Sequence, residues 1–449
     1  MSNKVAALIF SALIGAGAFG LPARTLAVDP VTHWVAQSGF EDGTGTSCDD
    51  PGYVGDTDAI VIEAIEVAET GDTVHICAGT YLFGNDGSLD IADGVTIEGD
   101  GPNLTVLDGQ GEYYLMSISD DDDIVIKDLG IANGYDDYGG GIYFDEGSTS
   151  FVVENVHFVG NRAGSLGGGG LYVWDSSGVV SDSLFHANGS EWGGAIVVQD
   201  SDVEIQNSTF TENYTDHESD YAPDFGGAAI YLYGGTLGVE GSLFRDNETD
   251  PGSAGAAIHV YAGSLVVDDS DFMGNRAFQG AAIYLFAEAP EDGEGDSVVI
   301  TDSSFVGNRT STVEDGGAIA HERNSRDVTI SRNVFTGNSG ASFGGAIEAW
   351  LVYGALEISN NQFNRNSAVE GGAVWVDVRS GVADIKGNVF KGNRARTGGA
   401  IAFECEVTSS RGIATHLTRS NRYSSNSAGA PRSSANVWAS RYATPDDCN

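Results

Sequence analysis

The chain has 449 residues, 63 of them glycine and only 9 proline, with 41% hydrophobic and 19% charged content. That balance excludes a disordered polymer, and the lack of a Gly-X-Y period excludes collagen. A formal charge of −44 disfavours nucleic acid and anionic membrane surfaces as partners.

Residues 1–27 read as a secretory signal peptide. Lys4 supplies the positive start, Val5 to Gly20 is an apolar run of mostly small residues, and Thr25-Leu26-Ala27 suits cleavage. The run is short for a membrane span, and no later stretch is apolar enough to cross a membrane as a helix. Removing Lys4 and Arg24 leaves a mature chain of about −46. Residues 28–72 then form an N-terminal segment, whose best helix (57–70, TDAIVIEAIEVAET) is expected to cap the strands that follow. Strands are expected at 73–81, 95–98 and 105–108.

Asp120, Asp121, Asp122 and Asp123 form an acidic run that would suit Ca2+, although no EF-hand spacing accompanies it and a solvated loop between rungs explains it better. Asp136 and Asp137 are a second acidic pair.

From residue 150 onward a Phe-x-x-Asn unit recurs, its asparagines being Asn161, Asn188, Asn213, Asn247, Asn275, Asn308, Asn338, Asn366 and Asn393, with a degenerate copy at Tyr423/Asn426. Successive copies lie 25 to 34 residues apart, which marks a solenoid of short rungs with insertions. Five residues before each Phe stands an aliphatic (Val153, Val180, Ile205, Val239, Val267, Ile300, Ile330, Ile358, Ile385), and seven before is usually another apolar residue. That alternation marks a strand with one buried face. Two before the Phe is a small polar column, Ser183 through Asn388, expected at a tight turn. A Gly-Gly-Ala-Ile type strand follows each Asn, for example Gly344-Gly345-Ala346-Ile347.

No single unit can bury its own apolar face, whereas stacked units can. The expected fold is therefore all-β: a right-handed, single-stranded parallel β-helix over residues 73–430, of roughly 12–13 rungs. Its Phe and Ile columns would form the core and its Asn column an amide ladder. The last rung is expected to degrade, with His416 and Thr418 at the aliphatic positions and Tyr423 in place of Phe, and residues 431–449 are expected to form a C-terminal cap. The cysteines, two near each end, suggest Cys48–Cys77 and Cys405–Cys448 disulfides, other pairings remaining open.

The alternating Phe-x-x-Asn and Gly-Gly-Ala-Ile motifs resemble the polymorphic outer membrane protein repeat, over roughly residues 150–430. Residues 56–109 are similar to the capping region of pectin-lyase-like β-helix proteins. This resemblance implies a secreted or outer-membrane-associated surface rod, often an adhesin, with an extracellular glycan or protein as partner. The autotransporter barrel usual in that family does not appear in the sequence. Insertions at 214–225 and 287–297, the latter including the acidic stretch 288–296, are candidate contact loops. Tyr214, Tyr221, Tyr231, Tyr233, Trp192, Trp350 and Trp375 are candidate exposed aromatics for sugar stacking, with packing beside the Gly-rich strands as an equal alternative. The Gly-His-Gly and Arg-Ile-Lys motifs of polygalacturonases are missing, so a non-catalytic role is expected, without a cofactor unless Ca2+ binds. The alternative is a polysaccharide lyase or hydrolase using Asp136 or Asp137.

Overall fold

The computed structural model describes residues 30–40, 43–84, 89–91, 94–118, 123–145, 150–216, 226–286, 295–310, 316–323, 326–378, 381–404, 416–417, 420–429 and 436–439. Every strand-to-strand ladder among them is parallel, and the strands gather into large sheets of 25 and 13 members and smaller ones of 4, 2 and 2. This is the expected parallel β-helix, with one strand of the 13-stranded sheet per rung.

Register shows why the columns recur. Ile205 lies opposite Val239, Val239 opposite Val267, Val267 opposite Ile300, and the column continues through Ile330, Ile358 and Ile385. The phenylalanines stack face to face from Phe158 to Phe390, with ring centroids 4.5–4.9 Å apart. That is the strand spacing of a parallel sheet. All these side chains belong to one continuous core running from Val35 to Phe403.

Two polar ladders hold the corners. From Asn188 on, each Asn of the main ladder accepts, on Oδ1, the backbone N–H and the side-chain amide of the Asn one rung earlier; Asn275, for instance, takes both from Asn247 at 3.1 and 3.0 Å. Its own amide donates to the carbonyl of Phe244 at 3.1 Å. The fully buried amides are thus satisfied on both sides, as burial requires. The column two residues before the Phe behaves similarly. Ser208 Oγ accepts the N–H of Ser183 and donates to the carbonyl of Gln206. From Asn333 onward asparagine takes over that role.

The residue before this second ladder turns with positive φ, which explains Asp182, Asn207, Gly241, Asp269, Asp302 and Asn360 there. Arg332 is the exception at φ +62, and its guanidinium holds the Asp302 carboxylate of the preceding rung. The Gly-Gly pairs have a steric cause: a Cβ on Gly345 would come within 2.4 Å of the Gly372 carbonyl in the next rung.

Four details differ from the sequence expectation. The parallel ladder already includes Thr32–Ala36, which pairs with Thr73–Ile76, so strand pairing begins well before residue 73. The helix is Asp58–Glu66, shorter than 57–70: past it the Ala68 N–H bonds the Ile65 carbonyl in a tighter turn, and the Glu69 N–H goes to the Asp72 carboxylate. The expected strand 73–81 is two strands, Thr73–Ile76 and Gly79–Leu82, on different sheets. Finally, Leu417 lies opposite Ile385, and His416 opposite Asp384. The aliphatic position therefore falls one residue away from both His416 and Thr418, and the chain between Leu417 and Tyr423 carries one extra residue.

The helix adds Val61, Ala64 and Ile65 to the core. Cys48 and Cys77 form a disulfide with Cα atoms 5.7 Å apart. Cys405 and Cys448 lie outside the described residues.

Candidate functional site

The Gly-Gly-Ala-Ile strands alternate inward and outward, as all strands do. Their inward residues enter the core. The next residue faces out, and register aligns these into one outer column: Tyr143, Tyr172, Val197, Tyr231, His259, Tyr284, Ala320, Glu348, Trp375 and Ala402. Two residues further along, Trp174, Gln199 and Tyr233 align in a second column.

Between these columns is a cleft of about 280 Å3, lined by Leu166, Tyr172, Trp192, Val197, Gln199, Tyr231 and Tyr233. Trp192 arrives from the loop after the short strand Gly189–Ser190, and its ring meets Tyr231 edge-on at 5.3 Å. Its indole N–H donates to the Ser165 carbonyl at 2.5 Å, which fixes the ring. Tyr138 and Tyr143 stack at 5.3 Å at one end, and Tyr172 meets both edge-on. At the other end Tyr233, 42% exposed, stacks on Tyr261 at 5.3 Å.

The Tyr172 phenol donates to Gln199 Oε1, which leaves the Gln199 amide nitrogen with two donors to offer. Burial, with the Asp200 charge behind it, pushes the Tyr172 phenol far above its ordinary range, so it stays protonated. Tyr143 is shifted the same way by burial and by donating to Asp145 Oδ1 at 2.7 Å.

The sequence-predicted aromatics divide. Trp192, Tyr231 and Tyr233 share this cleft. Tyr231 and Trp375 are not exposed, however, at 2% each: they face outward yet are covered by neighbours, Tyr231 by Trp192 and Trp375 by Phe343. Trp350 lies several rungs away under the guanidinium of Arg323, at 5.0 Å. Tyr214 packs over Gly189 on a separate strand, and Tyr221 lies outside the described residues.

Sequence reasoning missed Tyr172, Gln199 and the tyrosines around them. The signal was available: aligning rungs on the Ile of Gly-Gly-Ala-Ile puts Tyr143, Tyr172, Tyr231 and Tyr284 at one position.

The acidic candidates are scattered. Asp120, Asp121 and Asp122 lie outside the described residues, and Asp123 opens the strand Ile124–Lys127 at φ +61. Asp136 and Asp137 lie on Tyr135–Tyr138, the strand that ends at the cleft's tyrosines. Burial raises the Asp136 carboxyl above the usual carboxylate range, and the charge of Asp137 adds to the shift. Of the insertions, 217–225 and 287–294 lie outside the described residues. Asp296 accepts the N–H of Gly263 and faces the fully buried Arg326, which donates to the carbonyls of Tyr261, Gly263 and Phe286.

Further out on the same face, Glu322 accepts the Tyr284 phenol and Glu348 accepts the N–H of Gly316. At the N-terminal end, His75 and the sulfurs of Cys48 and Cys77 lie within 4.8 Å of one another. The sulfurs are joined to each other, and the imidazole nitrogens face Glu98 and Asp100 at 2.8 and 3.0 Å. Those atoms are therefore engaged in holding the first rungs together.

A continuous parallel coil bearing an outer aromatic cleft defines the class, a β-helix with its candidate site on a sheet face. The chain matches the family described as right handed beta helix region, over residues 116–291 and 169–363, and belongs to it. No curated protein sequence matches. Among solved structures it is similar to the catalytic unit of a thermostable GH87 alpha-1,3-glucanase from Streptomyces thermodiastaticus strain HF3-3, with 14% identity, TM-score 0.34, and 96% of this chain and 72% of that one covered. It is also similar to the Dettilon tailspike protein, with 12% identity, TM-score 0.36, and 85% of this chain and 64% of that one covered. A third is a PL6 family alginate lyase, at 9% identity and TM-score 0.16, covering 86% and 97% respectively. No activity is carried over from any of them.

Proposed function

We propose that this protein is an exported glycan-binding β-helix whose contact site is the cleft of Trp192, Gln199 and Tyr233, floored by the covered rings of Tyr172 and Tyr231. The observation that carries this reading is the juxtaposition of ring faces with a side-chain amide in a concave site. Sugar rings present an apolar C–H face and a rim of hydroxyls, and that combination meets both needs. Adhesion to a glycan-bearing cell or matrix is the role such a site serves on an exported rod.

Full-length protein is expected to bind immobilised polysaccharide. The Trp192→Ala/Tyr233→Ala double variant should bind about tenfold more weakly, since each ring contact contributes on the order of 0.5–1.5 kcal/mol and the variant loses two. Equal binding by both proteins would sink the assignment. Export is tested separately: N-terminal sequencing of the secreted product should begin at Val28.

A polysaccharide-active reading has one observation in its favour, the raised Asp136 carboxyl beside Asp137. Glycoside cleavage uses two carboxyl groups, one of them raised, and this pair offers both. Release of reducing or unsaturated ends from a polysaccharide, abolished by Asp136→Asn, would establish it.

A further inference from the structure

We infer that the cleft takes an uncharged hexopyranose glycan, and neither a uronate nor an amino-sugar polymer. This rests on the glycan-binding reading above and specifies its ligand.

The first support is what lines the cleft. Its seven residues are aromatic, aliphatic or amide, with no Lys, Arg, Asp or Glu among them. The phenol of Tyr172 is occupied as a donor to Gln199, and its burial keeps it uncharged. An anionic group entering such a site would lose hydration and find no cation in the lining, which is costly.

The second support is where the cations lie. Between Lys127 and Arg323 the sequence holds only Arg162, Arg245, Arg276 and Arg309. Arg162 pairs with Asp216. Arg245 is on the Phe-bearing sheet, a different wall of the coil. Arg276 and Arg309 pair with each other's backbone on the two-stranded sheet that follows the Asn ladder. A polyuronate brings a carboxylate on every ring into the field of a chain of net charge −44, and nothing in the cleft answers it.

An amino-sugar polymer meets the opposite difficulty. The overall field attracts it, and a ring face can hold an ammonium weakly. The carboxylates it would need for a specific, desolvated pairing are absent from the lining. A neutral sugar loses nothing on either count. Its C–H face fits Trp192 and the open face of Tyr233, and its hydroxyls can accept from the free donors of Gln199.

The test is affinity electrophoresis of the full-length chain through gels containing one polymer each. The neutral gels hold dextran, β-1,3-glucan, mannan or galactan, the anionic gels alginate or polygalacturonate, and the cationic gel chitosan oligosaccharide. Tyr233→Ala, a substitution at the exposed rim, runs beside wild type and Trp192→Ala, so that a folding defect in the latter does not decide the outcome. At least one neutral polymer should retard wild type. Both variants should reduce that retardation at least threefold, and it should persist at salt high enough to screen surface charge. Retardation by an anionic or cationic polymer in preference to every neutral one, weakened by both variants, would overturn the uncharged-ligand inference and leave glycan binding standing. If no polymer retards wild type, or neither variant changes retardation, the glycan-binding reading itself fails.

Discussion

On the Gly-Gly-Ala-Ile strands, two neighbouring columns share one backbone and obey different rules. The inward one reads Ile142, Leu171, Ile196, Ile230, Ile258, Ile283, Ile319, Ile347, Val374 and Ile401, all fully buried. The outward one, a single residue away, reads Tyr, Tyr, Val, Tyr, His, Tyr, Ala, Glu, Trp and Ala in the same rungs. Inside, each side chain packs on its own equivalent 4.8 Å away, so any change of size or polarity is felt by two rungs at once. Outside, the side chains are mostly covered too, but each by its own local neighbour, Tyr231 by Trp192 and Trp375 by Phe343, so identity follows that cover and changes from rung to rung. Constancy in this molecule therefore marks the shared core, and variation marks the locally covered layer on which the proposed cleft lies.

The sharpest break of that contrast is a paired substitution. Phe272→Ala removes the centre of the ring stack, where Phe244 and Phe305 each lie 4.8 Å away. It should cost about 3–5 kcal/mol in denaturant unfolding. Tyr233→Ala, on the outer face, should stay within about 0.5 kcal/mol. Similar losses at the two positions would erase the distinction. Asn275→Ala comes next, at about 2–3 kcal/mol, because it strands the Phe244 carbonyl and the Asn247 N–H in a buried corner. Asn275→Asp should be no better, since a carboxylate cannot donate to that carbonyl. In hydrogen exchange, the amides of the flanking rungs should open first.

The smallest effect belongs to the N-terminal rungs. Burial alone would raise the carboxyls of Asp72 and Glu98. The backbone N–H groups of Val31 and Glu69 with His33 hold Asp72 below its ordinary value, and Lys127 with His75 does the same for Glu98. A carboxyl that titrates lower folded than unfolded stabilises fully above its unfolded value near pH 4, and loses that contribution as pH falls through the folded one. Acid titration should loosen these rungs before the Asn-laddered middle, and Asp72→Asn should flatten the difference. A single cooperative transition at low pH, unchanged by Asp72→Asn, would show the end and middle to be one unit.

Most of the coil was legible because stacking turns structure into repetition. Phe-x-x-Asn announces a ring column and an amide ladder, and the Ser-to-Asn column announces the second corner. Where repetition lapses, reading failed. One added residue before Tyr423 moved the core position to Leu417. The strand Thr32–Ala36 has no motif to match, and it was found only through its pairing. The cleft was half legible. Trp192, Tyr231 and Tyr233 stand out by type, but their convergence depends on rungs 25 to 34 residues apart landing side by side.

The corner ladders also bear on how such a chain changes over generations. Each rung offers its successor the same bonds that it receives from its predecessor. Leu243 lies opposite Asp271, and Phe244 opposite Phe272. Excising residues 244–271 would join Leu243 to Phe272 with every ladder still in step. In-frame loss or duplication of one coil would thus shorten or lengthen the protein without a new interface, and slippage in the gene could tune its reach.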